Sequence, residues 1–164
     1  MSSTVPGTAS GWKARVVVVS DGVADGSRVD RSGPALRHAL EAVGAVVDAV
    51  VVSADGVEAV ADTLRVQSVG FEGLIVTTGG TGFGPRDLTP EGTRRVIERE
   101  APGLAEAMRL VNPLGRLSRG VAGTIGAALV LNVPGSPKGA VECLDAVVDV
   151  VPHALMLLVG GRPH

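Results

Sequence analysis

Aromatic residues and cysteine are scarce in this chain of 164 residues, which has no tyrosine, two phenylalanines, one tryptophan and one cysteine. A single cysteine, Cys143, excludes an internal disulfide and favours a reducing, cytoplasmic setting. Hydrophobic residues make up 45% of the chain, so a core has to be built from Val, Leu, Ala and Ile. Residues 1–13 lack the apolar core of a signal peptide and predict a flexible tail. One domain is predicted over residues 14–160.

Three other absences exclude further classes of protein. No run of about 18 uninterrupted apolar residues occurs, so no membrane-spanning helix is predicted. The formal net charge is −2, which argues against a general surface for nucleic acid or anionic membrane. The three histidines are scattered and form no zinc-binding set with the cysteine; they are His38, His153 and His164.

Lysine is rare as well. Only Lys13 and Lys138 occur, and every other basic side chain of the chain is arginine. Since Lys13 falls in the predicted tail, Lys138 is expected to be the one lysine of the folded body.

Apolar runs alternate with helical patterns along the chain. Continuous apolar runs predict strands covered on both faces at 16–19, 46–52 and 74–76, and a hairpin is predicted from 121–124 and 127–133. Helices are predicted at 34–43, 57–69, 90–100, 104–111 and from Ser136 onward, with a break at Pro152. Ser32 and Thr89 are the predicted N-caps, and residues 22–31 and 112–119 are predicted to be irregular. The alternation predicts a three-layer α/β/α sandwich with a mostly parallel sheet.

The most informative stretch runs from Gly73 to Glu91. A short apolar run leads through two threonines into a loop that contains Gly79, Gly80, Gly82 and Gly84, followed by an Arg-Asp pair and a helix start. Such glycines let backbone N–H groups approach a phosphate, and a helix N-terminus adds partial positive charge. The alternative is a tight glycine turn without a ligand.

This loop differs from two common phosphate-binding motifs. Pro85 and Arg86 stand where a Walker A loop has its lysine and hydroxyl residue. The alternation of Gly80, Gly82 and Gly84 does not match the dinucleotide fingerprint either.

Polar residues follow four of the predicted strands. They are Ser20-Asp21, Asp55, Thr77 to Asp87, and Pro134 to Lys138. Ligands of open parallel sheets lie beyond the carboxyl ends of the strands, so these segments are expected to meet at one edge. That edge would also hold a second helix N-terminus, at Ser136.

A phosphate-rich ligand suits this edge. Lys138 and Arg86 can neutralise phosphoryl charge, and Asp87 and Asp21 are candidate Mg²⁺ ligands. Asp55 can instead accept a pair of hydrogen bonds from the amino-pyrimidine edge of a purine or pterin. Ser136 lacks a base and is better explained as an N-cap than as a nucleophile. Each aspartate alone is also compatible with simple turn chemistry.

Five segments in this order carry a resemblance to a known family: Thr77–Gly82, Arg86–Glu91, Pro102–Arg109, Leu117–Arg119 and Leu131–Lys138. Together they resemble the molybdopterin adenylyltransferase family of molybdenum-cofactor biosynthesis proteins. That family includes the corresponding domains of gephyrin and of its plant counterpart. The resemblance extends from Arg15 to about Leu158.

The resemblance implies an α/β/α protein that assembles as a trimer. The sequence does not distinguish a trimer from a hexamer. It implies Mg²⁺-dependent transfer of AMP from ATP to the terminal phosphate of molybdopterin, which releases pyrophosphate. Asp87 and Asp55 fall at positions of required carboxylates. The residues that fall at ligand-contacting positions are Ser20, Asp21, Thr78, Gly79, Gly80, Thr81, Gly82, Arg86, Glu106, Pro134, Gly135, Ser136 and Lys138.

One departure and two alternatives remain. Gly22 and Val23 follow Ser20-Asp21 where the family often has an arginine, so that basic contact is either missing or supplied by Arg28 or Arg31. A non-catalytic pterin-binding paralogue and an oligomeric scaffold are the other function classes. The presence of both aspartates together with Ser136 and Lys138 favours the enzyme.

Overall fold

The structure, a computed structural model, describes residues 11–161. Residues 1–10 of the predicted tail therefore lie outside the described range. Lys13 is the first residue of the first strand. Lys138 is consequently not the only lysine of the folded body, and that prediction was wrong.

Within residues 11–161 the chain forms six strands and seven α-helices. The strands are Lys13–Val19 (β1), Val46–Ser53 (β2), Gly73–Thr78 (β3), Arg99–Glu100 (β4), Ala122–Ile125 (β5) and Ala128–Val133 (β6). The helices are Asp21–Asp25 (α1), Ser32–Ala42 (α2), Val57–Ser68 (α3), Thr89–Val96 (α4), Pro102–Arg109 (α5), Pro137–Asp145 (α6) and Val151–Leu158 (α7). Short 3-10 helices occupy Pro113–Leu117 and Val148–Val150. None of the helices in this range is long and apolar enough to cross a membrane.

All six strands join one sheet in the order β2-β1-β3-β6-β5-β4. The four strands from β2 to β6 pair in parallel, whereas β5 pairs antiparallel with both β6 and β4. The predicted mostly parallel sheet and the predicted hairpin of β5 and β6 are both confirmed.

Successive valines of β1 alternate between two hydrophobic cores. Val16 and Val18 pack with Leu36 and Leu144 from helices on one face of the sheet. Val17 and Val19 pack with Val60 and Leu64 from α3 on the other face. Covering both faces in this way explains why the buried strands are continuous apolar runs.

The helix predicted over residues 90–100 is shorter than expected. It ends at Val96, and Arg99–Glu100 pairs with β5 as an edge strand. The amide of Glu98 donates to the carbonyl of Thr124 at 2.8 Å. Gly123 permits this close pairing, because a Cβ there would lie 2.6 Å from the carbonyl oxygen of Arg99.

Three local predictions near helix starts were wrong. Residues 21–25 form the short helix α1, which Ser20 caps by accepting a hydrogen bond from the amide of Val23 at 3.2 Å. Ser32 lies inside α2, and the carboxylate of Asp30 accepts the hydrogen bond from the amide of Gly33. Thr89 lies inside α4, and its hydroxyl donates to a loop carbonyl instead. Residues 113–117 form a 3-10 helix within the segment predicted to be irregular.

Candidate functional site

A cleft of about 780 Å³ opens where the carboxyl ends of the parallel strands meet. Its lining includes Ser20 after β1, Asp55 after β2, Gly80 after β3 and Ser136 after β6. These four segments lie far apart in sequence, and the sheet brings their ends together. The prediction that these four strand ends meet at one edge of the sheet is therefore confirmed.

The glycine loop after β3 forms one wall of the cleft and requires its glycines. Gly79 and Gly80 have φ angles of +102° and +69°, which L side chains rarely adopt. A Cβ on Gly79 would lie 2.4 Å from the carbonyl oxygen of Val19, and one on Gly80 would lie 2.2 Å from Oγ1 of Thr89. The hydroxyl of Thr89 donates to the carbonyl of Gly79 at 2.9 Å. The amide of Thr89 donates to the carbonyl of Gly80 at 3.1 Å. The first residues of α4 therefore fix the first half of the loop.

The turn after β6 packs directly against the glycine loop. The hydroxyl of Thr78 donates to the carbonyl of Pro134 at 2.7 Å. A Cβ on Gly135 would lie 3.3 Å from Cα of Gly79. Ser136 accepts a hydrogen bond from the amide of Gly139 at 3.2 Å, so the predicted N-cap role is confirmed. The N-terminus of α6 therefore begins at the cleft wall, where it favours anionic ligands.

Asp21 and Asp55 are tied to each other through their backbones. The amide of Asp21 donates to Oδ2 of Asp55 at 2.9 Å, and the amide of Asp55 donates to Oδ1 of Asp21 at 3.0 Å. Arg86 donates to both carboxylate oxygens of Asp21, at 3.0 and 3.2 Å, and to the carbonyl of Asp55 at 3.0 Å. These hydrogen bonds from Arg86 lower the pKa of Asp21. Because its carboxylate is already paired, Asp21 is a poorer candidate for a metal ligand than its sequence position indicated.

Asp55 is electrostatically different from Asp21. Burial raises the pKa of Asp55, and the nearby negative charges of Asp21 and Asp87 add to that effect. The hydrogen bond from the amide of Asp21 acts in the opposite direction. Asp55 therefore faces the cleft as a partly desolvated carboxyl, which a cationic or hydrogen-bond-donating ligand group would stabilise in its charged form.

Asp87 lines the same cleft from the far end of the glycine loop. Its Oδ2 accepts a hydrogen bond from the amide of Gly84 at 2.9 Å. A Cβ on Gly84 would lie 2.8 Å from this oxygen, so the bare backbone is needed for the carboxylate to sit there. Among residues 11–161, no group of three His, Cys, Asp or Glu side chains could hold a metal ion by itself. Mg²⁺ commonly binds through one or two carboxylates plus substrate phosphates, which the Asp87 carboxylate suits.

Four further charged residues named from the sequence differ in whether they line the cleft. Arg28 and Arg31 both line the cleft, where they can supply the basic contact that Gly22 and Val23 do not. The Lys138 side chain is 89% exposed and lies 3.9 Å from Glu142, and it does not line the cleft. Glu106 is exposed on α5 and does not line it either.

A second cleft of about 320 Å³ lies on the other side of the turn after β6. Its lining includes the predicted site residues Thr81, Pro134 and Ser136, together with apolar side chains such as Met108 and Leu117. Leu114, which also lines this cleft, is 73% exposed, and Leu110 is 84% exposed. Most of the predicted site residues therefore line one of two clefts that share Ser136. The predicted site residues that line neither cleft are Asp21, Gly82, Arg86, Glu106 and Lys138.

Sequence reasoning missed the residue that holds the second half of the glycine loop. Arg119 donates from Nε to the carbonyl of Gly82 at 2.8 Å and from Nη2 to the carbonyl of Asp87 at 2.5 Å. Its Nη1 donates to both carboxylate oxygens of Glu91, at 2.6 and 3.0 Å. Arg119 belongs to one of the segments that carry the family resemblance, but no spacing in the sequence reveals its partners.

Comparison with known proteins gives a consistent result. Residues 15–153 match the family described as "Probable molybdopterin binding domain". The molybdenum cofactor synthesis protein cinnamon of Drosophila melanogaster is 37% identical over 156 residues, which cover 87% of this chain and 25% of that protein. The molybdopterin adenylyltransferase of Helicobacter pylori (strain J99) is 44% identical over 92 residues, covering 54% of this chain and 52% of the enzyme. The chain thus spans about a quarter to a half of these curated relatives.

Solved structures resemble the chain over nearly its whole length. The molybdopterin biosynthesis enzyme MoaB of Thermus thermophilus is 45% identical, with a TM-score of 0.85 and coverage of 92% of this chain and 98% of that one. The Mog protein of Mycobacterium ulcerans is 38% identical, with a TM-score of 0.82 and coverage of 92% and 98%.

Proposed function

The chain belongs to the family of probable molybdopterin binding domains, and from this premise we propose that it transfers AMP from ATP to molybdopterin. Its place would be in molybdenum cofactor biosynthesis. The observation that supports this proposal is the meeting of Asp55, Asp87, the glycine loop and the N-terminus of α6 around one cleft.

In the proposed reaction, a terminal phosphate oxygen of molybdopterin attacks the α-phosphorus of ATP. A new P–O bond forms, the bond between the α-phosphorus and the bridging oxygen to the β-phosphorus breaks, and pyrophosphate leaves. The attacking group is already an anion, so little general-base catalysis is needed. Positioning the two ligands and neutralising their charge would carry the catalysis.

The residues of the cleft divide these tasks. Backbone N–H groups of the glycine loop and of α6 suit phosphate oxygens, and Arg28 and Arg31 line the same space with positive charge. Asp87 would hold Mg²⁺, which when bound would neutralise phosphate charge. Asp55, with its desolvated carboxyl, would accept hydrogen bonds from the amino-pyrimidine edge of the pterin.

We also propose that the chain works as a homotrimer, as the family resemblance implies. Exposed apolar side chains between α5 and β5 support a subunit contact there, among them Leu110, Leu114 and Leu117. Burying such side chains on assembly is favourable by about 25 cal/mol per Å².

The direct test is incubation of the chain with ATP, Mg²⁺ and molybdopterin, scored for adenylyl-molybdopterin and pyrophosphate. Asp87→Asn should lower the turnover by about a hundred- to a thousandfold, because a charge-stabilising contact is lost. Asp62→Asn is the matched control, since Asp62 forms an exposed ion pair with Arg65 on α3. Wild-type turnover in Asp87→Asn would refute the assignment, and molybdopterin binding without any product would favour a non-catalytic paralogue.

A further inference from the structure

We propose that Arg119 is a positioning residue that fixes the Asp87 carboxylate over the cleft. This role rests on the proposed function for its effect on turnover, but its geometric basis is independent of any reaction. The side chain of Arg119 does not line either cleft, so it would act through the loop and not through a ligand.

The glycine loop has two halves with separate supports. Gly79 and Gly80 are held by Thr89 and by the hydrogen bond from the amide of Gly79 to the carbonyl of Val133 at 3.1 Å. The second half, from Thr81 to Asp87, has no strand or helix to order it. There, Arg119 binds through its amide to the carbonyl of Thr81 at 2.9 Å and through its guanidinium to two more carbonyls.

The guanidinium itself is oriented by an ion pair. Both carboxylate oxygens of Glu91, in the first turn of α4, accept hydrogen bonds from Nη1 of Arg119. The two side chains are each about one-third exposed. The planar fork of arginine can therefore serve the carboxylate and the carbonyls of Gly82 and Asp87 at once, which the single ammonium of lysine cannot do.

Fixing the backbone of Asp87 has a direct consequence for its side chain. One hydrogen bond from Arg119 holds the carbonyl of Asp87, and one from the amide of Gly84 holds its carboxylate. The amide of Asp87 also donates to the carbonyl of Gly84 at 3.0 Å, so residues 84–87 form one turn that Arg119 ties to the rest of the fold. Loss of the hydrogen bond from Arg119 would let this turn shift and carry the carboxylate of Asp87 away from its place over the cleft. Misplacement of a catalytic group by about 1 Å can lower a rate by about a hundredfold.

The test compares Arg119→Lys with Arg15→Lys. Arg15 is a matched control because it also pairs with a carboxylate, that of Asp48, and donates to a backbone carbonyl, that of Gln67. It lies on β1 and does not line either cleft. Both changes retain the charge and remove a guanidinium that joins a carboxylate to a backbone carbonyl.

We expect Arg119→Lys to lower kcat by about a hundredfold, with the KM for ATP changed by less than about threefold, because the first half of the loop keeps its own supports. In the chain without ligands, hydrogen exchange at the amide of Gly84 should become faster, while exchange at Gly79 stays unchanged. Arg15→Lys should alter neither the kinetics nor the exchange at Gly84.

Two outcomes would overturn this role of Arg119. One is unchanged exchange at Gly84 in Arg119→Lys, and the other is faster exchange together with wild-type kcat. A wild-type chain that transfers no AMP would refute the proposed function instead. Exchange at Gly84 would still decide whether Arg119 fixes the loop that carries Asp87.

Discussion

Replacing Gly80 by alanine tests how tightly the glycine loop is built. Gly80 has a φ angle of +69°, and a Cβ there would lie 2.2 Å from Oγ1 of Thr89 and 3.2 Å from Oδ1 of Asp55. Left-handed backbone costs an L residue about 1–2 kcal/mol. Steric overpacking adds about 1–3 kcal/mol. Gly80→Ala should therefore lower the free energy of unfolding by about 2–5 kcal/mol.

Gly70 provides the matched control for this substitution. Its φ angle is +62°, and a Cβ there would meet nothing within 4 Å. Gly70→Ala should lower the free energy of unfolding by only about 1–2 kcal/mol. The effect of alanine on the unfolded chain is common to both variants, so the difference between them measures the steric contact with Thr89 and Asp55.

Urea-induced unfolding of the two variants gives this difference directly. A double variant, Gly80→Ala with Thr89→Ala, removes the hydroxyl that the new Cβ would meet. The double variant should lose less free energy of unfolding than the two single variants lose in total, because the two residues are in contact. Equal costs for Gly80→Ala and Gly70→Ala, or strict additivity in the double variant, would refute the contact as the reason for glycine at position 80.

Three further predictions concern single residues and the assembly. The raised pKa of Asp55 means that its contribution to stability is complete below the ordinary value of 3.8 and is lost as the pH rises through the folded-state value. Asp55→Asn should therefore be more stable than the wild type near pH 7 without ligand. Urea unfolding should show that this difference in the free energy of unfolding shrinks toward about pH 4. A difference that does not depend on pH would contradict burial of the charged carboxylate as its cause. Lys138→Ala should change the free energy of unfolding by less than about 0.5 kcal/mol, since its pairing with Glu142 is exposed. Although its side chain does not line the cleft, Lys138 lies in the first turn of α6, whose N-terminus does, so the change should weaken binding of phosphorylated ligand in calorimetry; unchanged ligand affinity would remove Lys138 from the site. Light scattering should report a trimer at micromolar concentration, and a stable monomer would contradict the proposed assembly.

The sheet and the edge that carries the cleft were predictable because they depend on short-range patterns. Continuous valine runs such as 16–19 indicate strands covered on both faces, and the polar residues after them mark the ends that meet. Asp55 and Asp87 could be placed at one edge on this basis alone.

Long-range pairs between polar groups were not predictable from such patterns. The ion pair of Arg119 with Glu91 joins residues 28 positions apart, and that of Arg86 with Asp21 joins residues 65 positions apart. The short edge strand after α4 was missed for the same reason, since it is defined by its pairing with β5. The helix cap was misplaced at Ser32 because Asp30 accepts the hydrogen bond from the amide of Gly33. It was misplaced at Thr89 because the hydroxyl of Thr89 donates to the carbonyl of Gly79 instead of accepting from an amide of α4.

The bare backbone at Gly79 and Gly80 also limits how the gene can change. Every missense change in a glycine codon adds at least a Cβ, and at Gly79 that atom would lie 2.4 Å from a main-chain oxygen that cannot move aside by a side-chain rotation. Phe83, four residues on in the same loop, is 70% exposed and free of this restriction. Mutational drift should therefore spare Gly79 and Gly80 and be tolerated at Phe83, so that descendants of this gene would diverge at that exposed side chain before they diverge at the backbone that lines the cleft.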